Sequence, residues 1–282
     1  KIFYPNKIQP KELEEKRRKP RERGMQTRSR NYKNKKEEKT ANGAVYTPKY
    51  IRDYIVSHIV HSTKKPLEYC LCADISCGCG AFLFTLLETI HECTAIPYKK
   101  ILHHLYGIDI SSTSIGRAKI LLALVALKNG EIVCEEDFRL YCGNSLTYDF
   151  KQMPEVAENS GFDIIVGNPP YVRSKNIDAE TKKSLPLWST SKIGNADLYI
   201  PFFEIGMSLL SPKGLLGYIT VNTFFKSVNA RALRKYFSEN YFSLSIVDFG
   251  EQLVFKKKLA YTCLTFLSAE RDDSLKYVKA DI

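Results

Sequence analysis

The run Phe162–Gly167 (Phe-Asp-Ile-Ile-Val-Gly) is nearly continuous in apolar residues, and Asn168-Pro169-Pro170-Tyr171 stops it abruptly. A strand that cannot afford a wet face belongs in the middle of a sheet covered on both sides. The rest of the chain agrees with that placement. Further strand-like runs occur at Tyr69–Ile75, Leu105–Ile110, Phe138–Cys142, Leu215–Val221, Leu244–Phe249 and Tyr261–Leu267. Helical spacing lies between them at Phe82–Glu92, Ile115–Lys128, Leu198–Leu210 and Ala230–Ser238. Ahead of the first strand, Thr47-Pro48 predicts an N-cap and first turn for a helix carrying Ile51, Ile55 and Ile59 on one face. Such alternation predicts an α/β, doubly wound, Rossmann-like fold. The connection Gly250–Ala260 is too short for a helical crossover, so the last strand should run antiparallel in a mostly parallel seven-stranded sheet.

Charge divides the chain differently. Residues 1–40 hold 15 Lys/Arg against 6 Asp/Glu, which is +9 of the chain's +11. We read residues 1–42 as a basic N-terminal arm or linker and 43–282 as the catalytic domain. Within the arm, i,i+4 charge pairs predict a short helix over Gln9–Lys19. A basic arm on a near-neutral body suits a polyanion, with a solvated tail as the plainer reading. Nothing reads as a membrane span or a signal peptide. Eight cysteines without a disulfide-scaffold spacing predict reduced thiols in a cytoplasmic setting. Cys70 and Cys72 alternate along a strand while Cys77 and Cys79 sit in a turn, a spacing unlike paired metal knuckles, so we expect no metal.

Chemistry-bearing residues gather at strand ends, where open α/β sheets bind ligands. The first strand runs into Asp74-Ile75-Ser76-Cys77-Gly78-Cys79-Gly80, and a helix opens near Ala81. A dinucleotide turn would want a third glycine at position 83, where Leu83 stands, so a cofactor without a pyrophosphate fits better. S-adenosylmethionine is such a cofactor. It wants a glycine turn for its methionine half and a carboxylate for its ribose, and Asp109, followed by Ile110, ends the second strand.

Two consecutive prolines cannot donate backbone hydrogen bonds and hold the chain extended. The Asn168 amide oxygen and the Pro169 carbonyl are then acceptors aimed outward. A conjugated amine is a weak nucleophile because its lone pair is delocalised into the ring. Two acceptors on its N–H bonds localise that lone pair and stabilise the charge that develops on transfer. Tyr171 can stack on the ring that bears the amine.

From Gly43 to about Leu267 the chain resembles the gamma class of amino-methyltransferases acting on DNA adenine. The likeness is to those of fused type II (type IIG) and type I restriction-modification enzymes. Ala44-Val45-Tyr46-Thr47-Pro48 resembles the motif whose Tyr-Thr-Pro contacts the methionine end of the cofactor. Asp74 through Phe82, including Ser76, Cys77, Gly78 and Gly80, resembles the family's Asp-Pro-x-Cys-Gly-x-Gly-x-Phe segment, with Ile75 in place of Pro and Cys79 in place of Ser. Asp109 matches the ribose position, and Gly143-Asn144-Ser145 resembles the third-strand end near the cofactor's adenine. Phe255 looks like the aromatic facing Tyr171 across an extruded base, although a core phenylalanine reads equally well there. Double-stranded DNA is the implied partner, with the target base flipped out of the helix. The basic segment Val172–Gly194, with Arg173, Lys175, Lys192 and Trp188, suits a lid over the DNA backbone.

The resemblance implies an S-adenosylmethionine-dependent adenine-N6 methyltransferase of a restriction-modification or phage-defence system. A protein glutamine N5-methyltransferase, a methyltransferase for guanine amines of ribosomal RNA, and a non-catalytic DNA-binding subunit are the alternatives. In that family a target-recognition domain follows the last strand, and a nuclease precedes the arm in fused enzymes. We expect both to lie outside this chain, which begins at Lys rather than Met, and expect it to bind cofactor but to methylate specific DNA poorly or not at all.

Overall fold

The computed structural model describes residues 46–252, 254–255, 261–272 and 275–280. The basic arm and its expected helix over Gln9–Lys19 lie outside them. The first element is α1 (Lys49–Ser62), which buries Ile51, Ile55, Val56, Ile59 and Val60. Next come β1 (Cys72–Asp74), α2 (Ala81–Thr94), α3 (Tyr98–Leu102), β2 (Leu105–Asp109), α4 (Ser112–Lys128) and β3 (Arg139–Cys142). The second half contains α5 (Pro154–Glu158), β4 (Phe162–Gly167), α6 (Ala179–Ser184), α7 (Tyr199–Leu209), β5 (Leu210–Val221) and α8 (Arg231–Asn240). It closes with β6 (Phe242–Asp248), β7 (Thr262–Arg271) and β8 (Leu275–Lys279).

All are strands of one sheet in the order β3-β2-β1-β4-β5-β7-β6-β8. Strands β1 to β5 pair in parallel, whereas β7 is antiparallel to both β5 and β6, as the short connection required. The sheet has eight strands rather than the expected seven, because Leu275–Lys279 pairs in parallel with β6. β8 reads Leu-Lys-Tyr-Val-Lys and is exposed along its whole length, an alternation too short to mark a strand in sequence. At the front, the strand expected over Tyr69–Ile75 is reduced to three residues, because Pro66 starts a 3-10 turn over Leu67–Tyr69.

Two cores lie on the two faces of the sheet. One packs α1, α2, α3 and α4 against residues such as Cys72, Ile164, Val166 and Ile219. The other packs α7 and α8 against Ala73, Tyr106, Ile165 and Tyr218. The central strand β4 is buried along its whole length, the double-sided burial that its composition demanded.

The N-cap of α1 is Pro48 rather than Thr47, and no side chain caps this helix. Proline at that point fixes φ near −56° and needs no N–H partner. The Thr47 hydroxyl is used elsewhere.

Candidate active site

Because β1, β2, β4 and β5 are parallel neighbours, their carboxyl ends lie side by side, and the turns that follow them meet. Asp74 closes β1 and is buried. Its Oδ1 accepts from the Ser76 N–H at 2.9 Å, and burial pushes its carboxyl up to about 7. The turn after it is anchored by Cys77 N–H donating to the Ile108 carbonyl (2.9 Å) and by Gly78 N–H donating to Asp109 Oδ2 (3.0 Å). Gly78 and Gly80 both take positive φ, +53° and +81°, which favours glycine. Beyond Gly78 there is open space, and a Cβ there would meet nothing within 4 Å.

Asp109 closes β2. Its two oxygens accept one backbone N–H each, from Gly78 and from Ser111 (2.9 Å), and burial raises its carboxyl above the ordinary value. A carboxylate has about four acceptor positions, so roughly two remain for a pair of hydroxyls. Ile110 beside it is 66% exposed, a large apolar face next to that carboxylate.

The other expected contacts divide. Asn144 Oδ1 accepts from the Leu146 N–H at 3.0 Å and shapes the loop after β3. Ser145 is buried and donates its hydroxyl to the Ile75 carbonyl at 2.5 Å, so it ties that loop to the end of β1 rather than facing the cleft. Phe82 is buried in the core, and its contribution is to pack the start of α2. Tyr46 is exposed, with its hydroxyl 3.9 Å from Cys79 Sγ across the glycine turn.

The Asn168–Tyr171 turn leaves β4 beside Asp74. Gly167 lies so close that a Cβ on it would come within 2.8 Å of Asp74 Oδ1. Asn168 Nδ2 donates to Thr47 Oγ1 at 3.1 Å, across 121 residues of sequence. The Pro170 carbonyl accepts from Val172 N–H at 3.0 Å, while among the described residues no N–H donates to the Pro169 carbonyl. Tyr171 is held by its hydroxyl, which donates to the Ile219 carbonyl of β5 at 3.0 Å. Phe255 does approach Tyr171, with ring centroids 6.4 Å apart and planes at 70°. It is itself buried among core residues, which is the core reading of this phenylalanine.

The segment after the turn is fastened rather than loose. Trp188 Nε1 donates to the Leu146 carbonyl at 3.0 Å, and the Glu204 carboxylate accepts from Ser189 N–H, Ser189 Oγ and Thr190 N–H. Asp197 accepts from Ser174 N–H at 2.8 Å. Arg173, Lys175 and Lys192 project from this fastened segment and are exposed. Sequence reasoning missed the tethers, since Glu204 and Asp197 are ordinary acidic residues on and before α7. It also missed Arg52, whose Nη1 donates to the Thr47 carbonyl at 2.6 Å and whose Nε donates to Thr85 Oγ1 at 3.3 Å.

Comparison with known proteins gives the family and the fold. Residues 103–255 match the family model described as Eco57I restriction-modification methylase. The chain is 29% identical to the type II restriction enzyme and methyltransferase RM.Eco57I of Escherichia coli, over 86% of this chain and 29% of that protein. It is 29% identical to the type II methyltransferase M.BstVI of Geobacillus stearothermophilus, over 82% of this chain and 43% of that protein. The chain thus spans well under half the length of these relatives. Among solved structures, the DrdV–DNA complex superposes with a TM-score of 0.69 at 15% identity, over 86% of this chain and 28% of that one. A candidate class I S-adenosylmethionine-dependent methyltransferase from Listeria monocytogenes superposes at 0.60 and 15% identity, over 83% of this chain and 65% of that one. The family model covers more than half of the chain, and this protein belongs to the Eco57I restriction-modification methylase family.

Proposed function

We propose that this chain is the methyl-transfer domain of a DNA methyltransferase that modifies the N6 amine of adenine using S-adenosylmethionine. The observation that carries the reading is the Asn168–Tyr171 turn, set beside Asp74 and oriented by Thr47. The residues present fit the cofactor: open space over Gly78, spare acceptor capacity on Asp109, and the exposed face of Ile110. Asp109 would hold the ribose, Ile110 the adenine face, and the Asp74–Gly80 turn with Tyr46 the methionine half. When bound, that cofactor supplies an electrophilic methyl group.

The chain's own contribution is to prepare the amine. With Asn168 Nδ2 engaged by Thr47, the amide oxygen is directed to the opposite edge of the carboxamide, where it accepts one N–H of the target. The Pro169 carbonyl accepts the other. Both dipoles are fixed by the fold before the substrate arrives, so little reorganisation is needed as positive charge develops on nitrogen. Tyr171, held by Ile219, offers a ring for the target base. An adenine within a duplex is stacked, so it must be extruded, at roughly a few kcal/mol. Arg173, Lys175 and Lys192 meet phosphates, and a recognition region and a nuclease act with this domain in the whole protein. A cytoplasmic setting suits this role and the eight free cysteines.

Calorimetric titration with S-adenosylmethionine, on wild type and Asp109→Ala, tests the first half. Asp109→Ala should weaken binding by ~1–2 kcal/mol, the loss of a charge-assisted hydrogen bond. Mass spectrometry of nucleosides from DNA incubated at length with a large excess of the chain, since transfer without the recognition region is expected to be slow, tests the second half. N6-methyladenine is expected with wild type and not with Asn168→Ala; methylation of another base or of a glutamine side chain would overturn the adenine assignment.

A further inference from the structure

The Thr47 hydroxyl neither caps its helix nor lies open to the cleft. Thr47 is buried, and its Oγ1 accepts from Asn168 Nδ2 at 3.1 Å. Its position is fixed from two sides. Pro48 sets the backbone immediately after it, and the Arg52 guanidinium grips its carbonyl at 2.6 Å. Arg52 also reaches Thr85 Oγ1 on α2, the helix that opens from the glycine turn, and Thr85 Oγ1 donates on to the Ala81 carbonyl at 3.1 Å. A chain of hydrogen bonds therefore runs from the first turn of α2 through Arg52 and Thr47 to the carboxamide of Asn168.

A carboxamide has two edges of opposite polarity, one a double donor and the other an acceptor. Turned by 180° about its last torsion, Asn168 would present N–H bonds to an amine that also offers N–H bonds, and the two would repel. Nothing covalent prevents that flip. A hydroxyl can donate as well as accept, so what Thr47 supplies is a fixed, buried partner that holds the plane of the carboxamide, and in the structure it engages the donor edge.

We propose that Thr47 is a positioning residue for Asn168, holding the plane of its carboxamide toward the target amine, with Arg52 anchoring Thr47. This rests on the assignment of Asn168 as the group that accepts from that amine. It differs from the family-based expectation that Thr47 binds the cofactor, and the two have different consequences.

The test uses the full chain with Thr47→Val, which keeps shape and removes the hydroxyl, and Thr47→Ser, which restores it. The Asn168 side-chain amide protons, identified in 15N NMR spectra by their disappearance in Asn168→Ala, are followed by hydrogen exchange. One hydrogen bond of ordinary strength should slow exchange by ~3–10-fold. That protection should be lost in Thr47→Val and regained in Thr47→Ser. Methyl transfer to unmethylated plasmid DNA, measured in a single turnover at saturating S-adenosylmethionine, should fall by a similar factor in Thr47→Val and recover in Thr47→Ser. Cofactor affinity and thermal midpoint should stay unchanged in both. Equal exchange in Thr47→Val and wild type overturns the proposal, as does weakened cofactor binding with an unaltered transfer rate. If Asn168→Ala itself transfers methyl at the wild-type rate, the underlying role of Asn168 fails instead.

Discussion

Asp74 sits buried at the end of β1 with one backbone N–H donor, so burial favours its protonated form and raises the carboxyl to about 7, against 3.8 unfolded. A group that binds its proton more tightly when folded stabilises the fold fully below the unfolded value, and that stability is lost as pH rises through the folded value. The wild-type protein should therefore lose stability between about pH 4 and pH 7 relative to Asp74→Asn, which is neutral throughout. Denaturant midpoints of the two proteins at pH 5 and pH 8 measure this. A constant difference between them would mean that Asp74 ionises freely in the folded state. The same burial gives the carboxylate a motive to accept a cationic ligand, which would pull its proton off.

Glycines mark where elements are joined under constraint. Gly80 holds φ at +81° and faces α4 so closely that a Cβ would lie 2.9 Å from Ala118 Cβ. Gly80→Ala should cost ~1–3 kcal/mol by strain and overpacking, read by chemical denaturation, and should weaken cofactor binding because the turn moves. Gly116, in the middle of α4, faces open space, and Gly116→Ala should stabilise by ~0.5–1 kcal/mol in the same experiment. At this scale the sequence was informative where the signal was local. The periodicity of α2 and α4, the apolar run of β4 and the glycine turn were readable because adjacent residues carry them. The all-exposed β8 carries only a five-residue alternation, too short to stand out. The Thr47–Asn168 bond, the Ser145–Ile75 bond and the tethers from Glu204 join positions that only the finished sheet brings together. Residue types at the site were thus legible, whereas the orientation of their side chains was not.

Across the whole molecule, the two ends of the sheet do different work. At the amino end of β4, Asp163 takes four donors: Lys65, Asn159 and the Leu71 N–H at Oδ2, and Ser211 at Oδ1. Removing a partner from such a part-buried ion-pair network typically costs ~3–5 kcal/mol. Asp163→Ala should lower stability by about that much, while the fraction that remains folded keeps its cofactor affinity, because the site lies at the opposite end. A parallel loss of affinity per folded molecule would show that the two ends are coupled.

The reversed direction of β7 bears on how this end of the protein can vary. With β6 running toward the site and β7 running away from it, their connection both leaves and rejoins the sheet on the reaction side, carrying Phe255 with it. A parallel β7 would have needed a crossover along a face, where any change in length must be absorbed by helix packing. Here the register of β6 with β7 and of β5 with β7 is set by the strands themselves. The connection is nonetheless tied to the sheet, since Val254 and Phe255 are buried in the core on one of its faces. Under the proposed function, a change in this connection alters what stands beside Tyr171 while the strand pairing that carries the site stays as it is.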